Sequence, residues 1–257
     1  MCFHASQEQK TKKLEEHYKV ERSKVFEIEE TSCTAKHFNG FDHPELLIIP
    51  QESKQELHPA IWGILPKNET GYTQNDYYRN INTKGGGLNA QSEKAFDHFI
   101  YKHSIMERRC IIPLTGFFEP HKHKGKGISY PFYFHRKDKS FISVAGIYSI
   151  TNDGTVSFTM FTKKASEWFG SIHNKVGEKR QIVLLDPMLE KEWLRDDLNE
   201  KHIKELFNVQ YDESELDAYP VSRDIFNPDV FSNYDSITDK VDYPALQNDK
   251  DDQLTLF

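Results

Sequence analysis

The sequence predicts a single β-rich α+β domain, and three observations predict it. Between residues 110 and 185 lie five apolar runs, CIIPLTGFFE, YPFYFH, SFISVAGIYSI, VSFTMFT and QIVLL, rich in β-branched and aromatic residues. Helical periodicity is confined to short stretches between and around them. The chain, with 257 residues of which 13% are aromatic, is long enough and apolar enough to bury a core.

Taken in order, residues 7–19 place Leu14 and Tyr18 at helical spacing among charges, the pattern of a short surface helix. Residues 33–66 alternate brief apolar runs (LLIIP, AIWGILP) with Pro, Asn and Gly, which suits short strands and ordered loops. Residues 67–87 are polar and end in Gly85-Gly86-Gly87, a flexible connection. Ser92 is placed to cap a helix with Ala95, Phe96, Phe99 and Ile100 on one face. The five strands follow. His121-Lys122-His123-Lys124-Gly125-Lys126-Gly127 forms a basic hairpin turn, and Ala165, Trp168 and Phe169 sit on a short helix. Residues 187–207 carry Leu189, Trp193, Leu194, Ile203, Leu206 and Phe207 in a helical pattern. Beyond Phe231 the chain turns polar, which divides it into a domain over 2–231 and a flexible acidic tail over 232–257.

The net charge of −7 conceals an asymmetry. Residues 186–257 hold seven Lys and Arg against nineteen Asp and Glu, a charge of −12, which leaves residues 1–185 at +5. A mildly basic body beside an acidic end directs attention to an anionic ligand on the body. Cys2, Cys33 and Cys110 form no C-x-x-C pair, which excludes a disulfide scaffold and a cysteine-rich zinc site; Cys33 and Cys110 read as buried and inert. His121-x-His123 lacks further ligands at metal spacing, so no metal or organic cofactor is expected. The opening MCFHASQEQKTKK has no apolar core of a signal peptide, and no run reaches the roughly 18 apolar residues of a membrane helix. A cytoplasmic, nucleoid-associated chain is expected.

Position 2 carries the most distinctive chemistry. Once the initiator Met is removed, Cys2 presents an α-amine and a thiol on one residue, with reference pKa values of about 7.7–8.0 and 8.5. Such a 1,2-aminothiol closes on an aldehyde as an imine and then a thiazolidine ring. Glu119, at the end of an apolar strand, suits a general acid or base. His173, in Ser-Ile-His-Asn, reads as a proton carrier or as a structural hydrogen-bonder, and Asn89 as a residue that orients a carbonyl or hydroxyl.

These residues fall within an ordered set of motifs: MC at the start, WGILP (62–66), LNAQSE (88–93), RRCIIPLTGFFE (108–119), YPFYF (130–134), SVAGIY (143–148), SIHN (171–174) and YPVS (219–222). In that order they resemble the SOS-response-associated peptidase (SRAP) family, and the resemblance runs from Cys2 to about Asn227. It implies a fold of mostly antiparallel strands in a barrel-like core with peripheral short helices. It also implies an activity: recognition of abasic sites in single-stranded DNA and covalent cross-linking to the ring-opened sugar. By matching motif, Cys2 is the nucleophile, Asn89 positions the α-amine and sugar, Glu119 shuttles protons, and His173 assists imine formation and strand scission. The family name refers to an autoproteolytic peptidase activity that removes residues before the cysteine; here only Met1 precedes it.

The candidate DNA-binding set is His4, Trp62, Arg79, Gln91, Thr162, Lys175 and Arg180, of which His4, Arg79, Lys175 and Arg180 would replace charge that the family pattern places elsewhere. Trp62 reads equally as a base-stacking residue, worth about 1–3 kcal/mol, or as a core tryptophan. The chain departs from the family pattern at Gln91, where an arginine is usual, at Pro120, and at an insertion spanning 175–181. Gln91 and Pro120 favour a rival: a non-catalytic single-stranded-DNA-binding protein or clamp adaptor on the same fold. A cysteine protease acting in trans is a third reading. Finally, Gln253, Leu254, Leu256 and Phe257 form a terminal QLTLF that resembles the bacterial sliding-clamp-binding peptide. Aldehyde capture itself requires only a monomer.

Overall fold

A computed structural model of the chain describes residues 2–8, 10–29, 33–67, 73–81, 86–123 and 127–246. The strands are β1 (His4–Gln7), β2 (Glu21–Arg22), β3 (Ala35–Asn39), β4 (Glu45–Pro50), β5 (Glu56–Trp62), β6 (Asn89–Gln91), β7 (Arg109–Leu114), β8 (Gly116–Lys122), β9 (Ser129–Arg136), β10 (Ile142–Ile150), β11 (Val156–Lys164), β12 (Arg180–Ile182), β13 (Leu184–Leu185) and β14 (Leu216–Pro220). The helices are α1 (Thr11–Tyr18), α2 (Gln74–Asn80), α3 (Ser104–Glu107), α4 (Glu167–Ile172), α5 (Pro187–Trp193) and α6 (Glu200–Asn208). Among the described residues no helix is long and apolar enough to cross a membrane.

Five strands close on themselves. β5, β4, β7, β10 and β11 pair antiparallel in that order, and β11 returns to β5 in parallel through Ser157–Ile61 and Phe158–Trp62. Closure removes the exposed edges an open sheet would leave. Side chains alternate between the two faces, as strand geometry requires. Leu46, Ile48, Cys110, Ile112, Val144, Phe158 and Met160 join one buried cluster. Their neighbours Leu47, Ile49, Ile111, Ala145, Ile147 and Phe161 join another, packed with Trp193, Ile203 and Phe207 of α5 and α6. Each strand reads as a continuous apolar run because both of its faces are covered.

A second sheet runs β14-β9-β8-β1-β3. β1 is inserted between β8 and β3, with His4 opposite both Phe118 and Asn39. Gly116 permits close approach here: a Cβ would stand 2.3 Å from the Tyr133 ring and 2.5 Å from the Phe134 carbonyl. This sheet carries the N-terminus to the point where it meets the closed one.

The expected strands are present, with a break at Thr115 that divides the first run into β7 and β8 and another at Val183. The helical pattern over 187–207 is present as two helices, because Asp186 and Asn199 each cap a separate start by accepting backbone N–H groups. Three expectations are corrected. The Ser92 helix is a single 3-10 turn over Ser92–Lys94, and Phe99 points outward at 58% exposure. Residues 67–87 contain α2, started by the Thr73 hydroxyl accepting from Asp76 N–H and anchored by buried Tyr77 and Tyr78. The flexible tail does not begin at residue 232. Ile237 is fully buried, Tyr234 donates to Asp224 at 2.7 Å, and Val241 N–H donates to the Pro220 carbonyl at 2.8 Å. Gln253, Leu254, Leu256 and Phe257 lie outside the described residues.

Candidate active site

Cys2 enters the site from the open end of β1. Its side chain is fully buried, and its thiol donates to the His4 carbonyl at 3.3 Å. Its own carbonyl accepts a 2.7 Å hydrogen bond from Asn89 Nδ2. Asn89 is carried there by β6, which pairs in parallel with β11 and sets Asn89 opposite Met160. Asn89 Oδ1 is buried and makes no hydrogen bond among the described residues, so an acceptor stands ready beside the Cys2 main chain.

Glu119 arrives on β8 opposite Phe132 of β9 and is almost fully buried. His173 follows α4, whose start is capped by the Ser166 hydroxyl, and its Nδ1 lies 3.0 Å from Glu119 Oε2. Two contacts hold the His173 loop to β8: His121 Nδ1 lies 2.7 Å from the Ile172 carbonyl, and Asn174 pairs with the Lys122 backbone. Burial pushes the Cys2 thiol far above its ordinary range, and the negative charge of Glu119 pushes it further. A thiol held protonated is a poor primary nucleophile, and His173 engages Glu119. Both facts disfavour a thiolate–imidazole protease. They suit chemistry in which the amine attacks first and the thiol closes second.

The four sequence-predicted catalytic residues thus converge from four elements. The predicted DNA-binding set divides. Arg79 is exposed on α2, while Gln91 on β6 and Lys175 after His173 are half-buried. The base-stacking role of Trp62 is corrected: its ring is fully buried, stacked on Phe158, and its Nε1 donates to the Leu88 carbonyl at 2.8 Å. Thr162 is fully buried, with its hydroxyl donating to the Ala90 carbonyl at 3.3 Å. Arg180 is also corrected as a free phosphate ligand, because its guanidinium is buried against Glu93 at 2.7 Å and Glu178 at 3.4 Å. His4 turns into a 2.9 Å contact with His37, and burial lowers its pKa to about 3, so it offers no positive charge to a phosphate at neutral pH.

Sequence reasoning missed Phe3 and Phe41. Their rings stand 4.9 Å apart next to Cys2, and Phe41 is 45% exposed. The signal was a Phe adjacent to Cys2, but its partner lies 38 positions away in the sequence and only the β1–β3 pairing brings them together.

Comparison with known proteins gives the family and the fold. The family described as SOS response associated peptidase (SRAP) matches residues 1–228. The abasic site processing protein YobE of Bacillus subtilis (strain 168) is 26% identical over 197 residues, covering 74% of this chain and 81% of the relative. The abasic site processing protein YoqW of Bacillus phage SPbeta is 27% identical over 191 residues, covering 71% and 77%. Among solved structures, a protein from Bacteroides thetaiotaomicron superposes with a TM-score of 0.77 at 26% identity, covering 93% of this chain and all of that one. A Bordetella bronchiseptica protein at 21% identity and TM-score 0.68 shares the fold. With the match spanning the whole closed sheet and all four converging residues, the chain belongs to the SOS response associated peptidase (SRAP) family.

Proposed function

We propose that this protein processes abasic sites in single-stranded DNA by covalent capture through Cys2. The observation that carries the proposal is the grip of Asn89 on the Cys2 carbonyl, with its unpartnered Oδ1, in the same buried site as the Glu119–His173 pair. Once Met1 is removed, the Cys2 amine adds to the C1′ aldehyde of the ring-opened deoxyribose and loses water as an imine. The thiol then adds to the imine carbon, its proton passes to the ring nitrogen by way of Glu119 and His173, and a thiazolidine results. Asn89 Oδ1 accepts from the amine and aims it. Glu119 serves sugar ring opening and the reverse reaction, and His173 serves imine formation and any strand scission. Burial keeps the thiol protonated until that second step. The relatives' names as abasic site processing proteins support the substrate. Phe3 and Phe41 supply an aromatic surface for a base beside the lesion, and Arg79 and Lys175 supply phosphate contacts, which makes binding salt-sensitive.

The test mixes the protein with an oligonucleotide bearing one abasic site and runs a denaturing gel beside Cys2→Ala. A slow band that requires Cys2 supports capture. No band, from protein whose mass shows Met1 removed, overturns it and leaves the non-covalent DNA-binding or clamp-adaptor reading. Binding of a bacterial sliding clamp through QLTLF is a separate proposal. Seven chain steps separate Leu246 from Gln253, a reach of at most about 25 Å, so the clamp would sit close to the domain. Deleting Phe257 should abolish clamp binding; unchanged affinity removes the idea.

A further inference from the structure

The family match ends at residue 228, yet residues 232–246 return as a strap over the second sheet. Its Ile237 is buried among Phe118, Tyr133, Val221 and Ile225, and the Tyr243 hydroxyl donates to the Val221 carbonyl at 2.9 Å. The first residue of the strap makes a contact of another kind. Ser232 Oγ lies 2.7 Å from His37 Nδ1, and His37 Nε2 lies 2.9 Å from His4 Nδ1. A neutral imidazole has one donor and one acceptor nitrogen, so this chain closes with one proton per contact while both rings stay neutral. Burial favours that state, lowering the pKa of His37 to about 4 and, with the nearby charge of His37, that of His4 to about 3. His4 is the residue whose carbonyl accepts the Cys2 thiol. β1 is only four residues long, so its side-chain anchors matter beside its ladder bonds.

We infer that Ser232 and His37 are positioning residues for Cys2: the strap, through Ser232, His37 and His4, holds the strand that presents the N-terminal thiol. The inference rests on the proposed capture for what the positioned thiol does, and not for the positioning itself. It makes a segment beyond the family domain part of the apparatus that aligns the nucleophile.

The experiment compares full-length wild type, Ser232→Ala, Ser232→Thr and Tyr243→Phe by two rates. The first is covalent capture of an abasic single-stranded oligonucleotide at saturation. The second is conversion of Cys2 by glyoxylic acid, in which aminothiol and aldehyde give a thiazolidine and water, followed by intact mass. Ser232→Ala should slow oligonucleotide capture about tenfold, equivalent to about 1.4 kcal/mol, and raise the glyoxylate rate severalfold as Cys2 leaves its pocket. Ser232→Thr, which keeps the hydroxyl, should restore both rates. Tyr243→Phe removes a strap hydrogen bond outside the relay and should leave both at wild type. Unchanged rates in Ser232→Ala, or equal effects of Tyr243→Phe, overturn the inference. If wild type captures no oligonucleotide but the glyoxylate rate still responds to Ser232, the positioning stands and the DNA reading falls. If capture proceeds and neither rate responds, the reverse holds.

Discussion

The side chain of Asn174 accepts the Lys122 N–H at 2.7 Å and donates to the Lys122 carbonyl at 2.9 Å. It continues the β8 hydrogen-bonding pattern as a neighbouring strand would, and so fixes the loop carrying His173 in register with Glu119. Asn174, the residue after His173 in the SIHN motif, is thereby a clip for the loop that carries His173.

Asn174→Ala should therefore lower abasic-site capture about tenfold, the effect of about 1.4 kcal/mol of lost alignment, with only a small fall in Tm because the clip is at the surface. A capture rate equal to wild type in single-turnover kinetics would show that His173 finds Glu119 without it.

Glu119→Gln should move two quantities in opposite directions. Removing the negative charge lowers the Cys2 thiol pKa, although burial still holds it above the ordinary range. The midpoint of Cys2 alkylation by iodoacetamide should shift to lower pH. Capture should nevertheless slow about 100-fold or more, the typical size of a general acid–base contribution. Faster capture alongside the more acidic thiol would mean that thiolate formation limits the reaction.

Stability should depend strongly on Arg109, far from the chemistry. Its fully buried guanidinium donates to the carbonyls of Trp193, Ile105, Met106 and Arg195, tying α3 and the end of α5 to β7. Arg109→Ala strands these buried acceptors, each worth about 1–3 kcal/mol, and should destabilise the fold by about 3 kcal/mol or more in urea melts. Arg109→Lys should recover only part, because an ammonium cannot reproduce the planar fork.

Acid should weaken the fold before the carboxylates titrate. His4 and His37 have folded pKa values lowered to about 3 and about 4 by burial, against about 6.5 unfolded. Between those limits the unfolded chain binds the protons first, so stability falls as pH drops below about 6.5, by up to about 1.4 kcal/mol per pH unit for each ring. Urea melts at pH 7 and pH 5 should show the loss, and His37→Gln should reduce it. An unchanged slope in that variant would place the titration elsewhere.

Much of this protein is legible in its sequence. The strands of the closed sheet announce themselves because each apolar run is covered on both faces, and the motifs that hold Cys2, Asn89, Glu119 and His173 identify the family because a motif is carried by the side chains themselves. Burial and pairing are different properties. Whether Trp62 meets a base or the core depends on β5 closing against β11. Whether Arg180 is free for phosphate depends on Glu93, 87 positions earlier. The strap escaped notice because its polar composition looks unstructured, while a single buried Ile237 and a few hydrogen bonds to distant backbone hold it. The sequence by itself determined the β-rich class and the family to which its motifs belong. Tertiary structure alone decided which charges are already spent and what positions Cys2, because those depend on contacts between residues the chain keeps far apart.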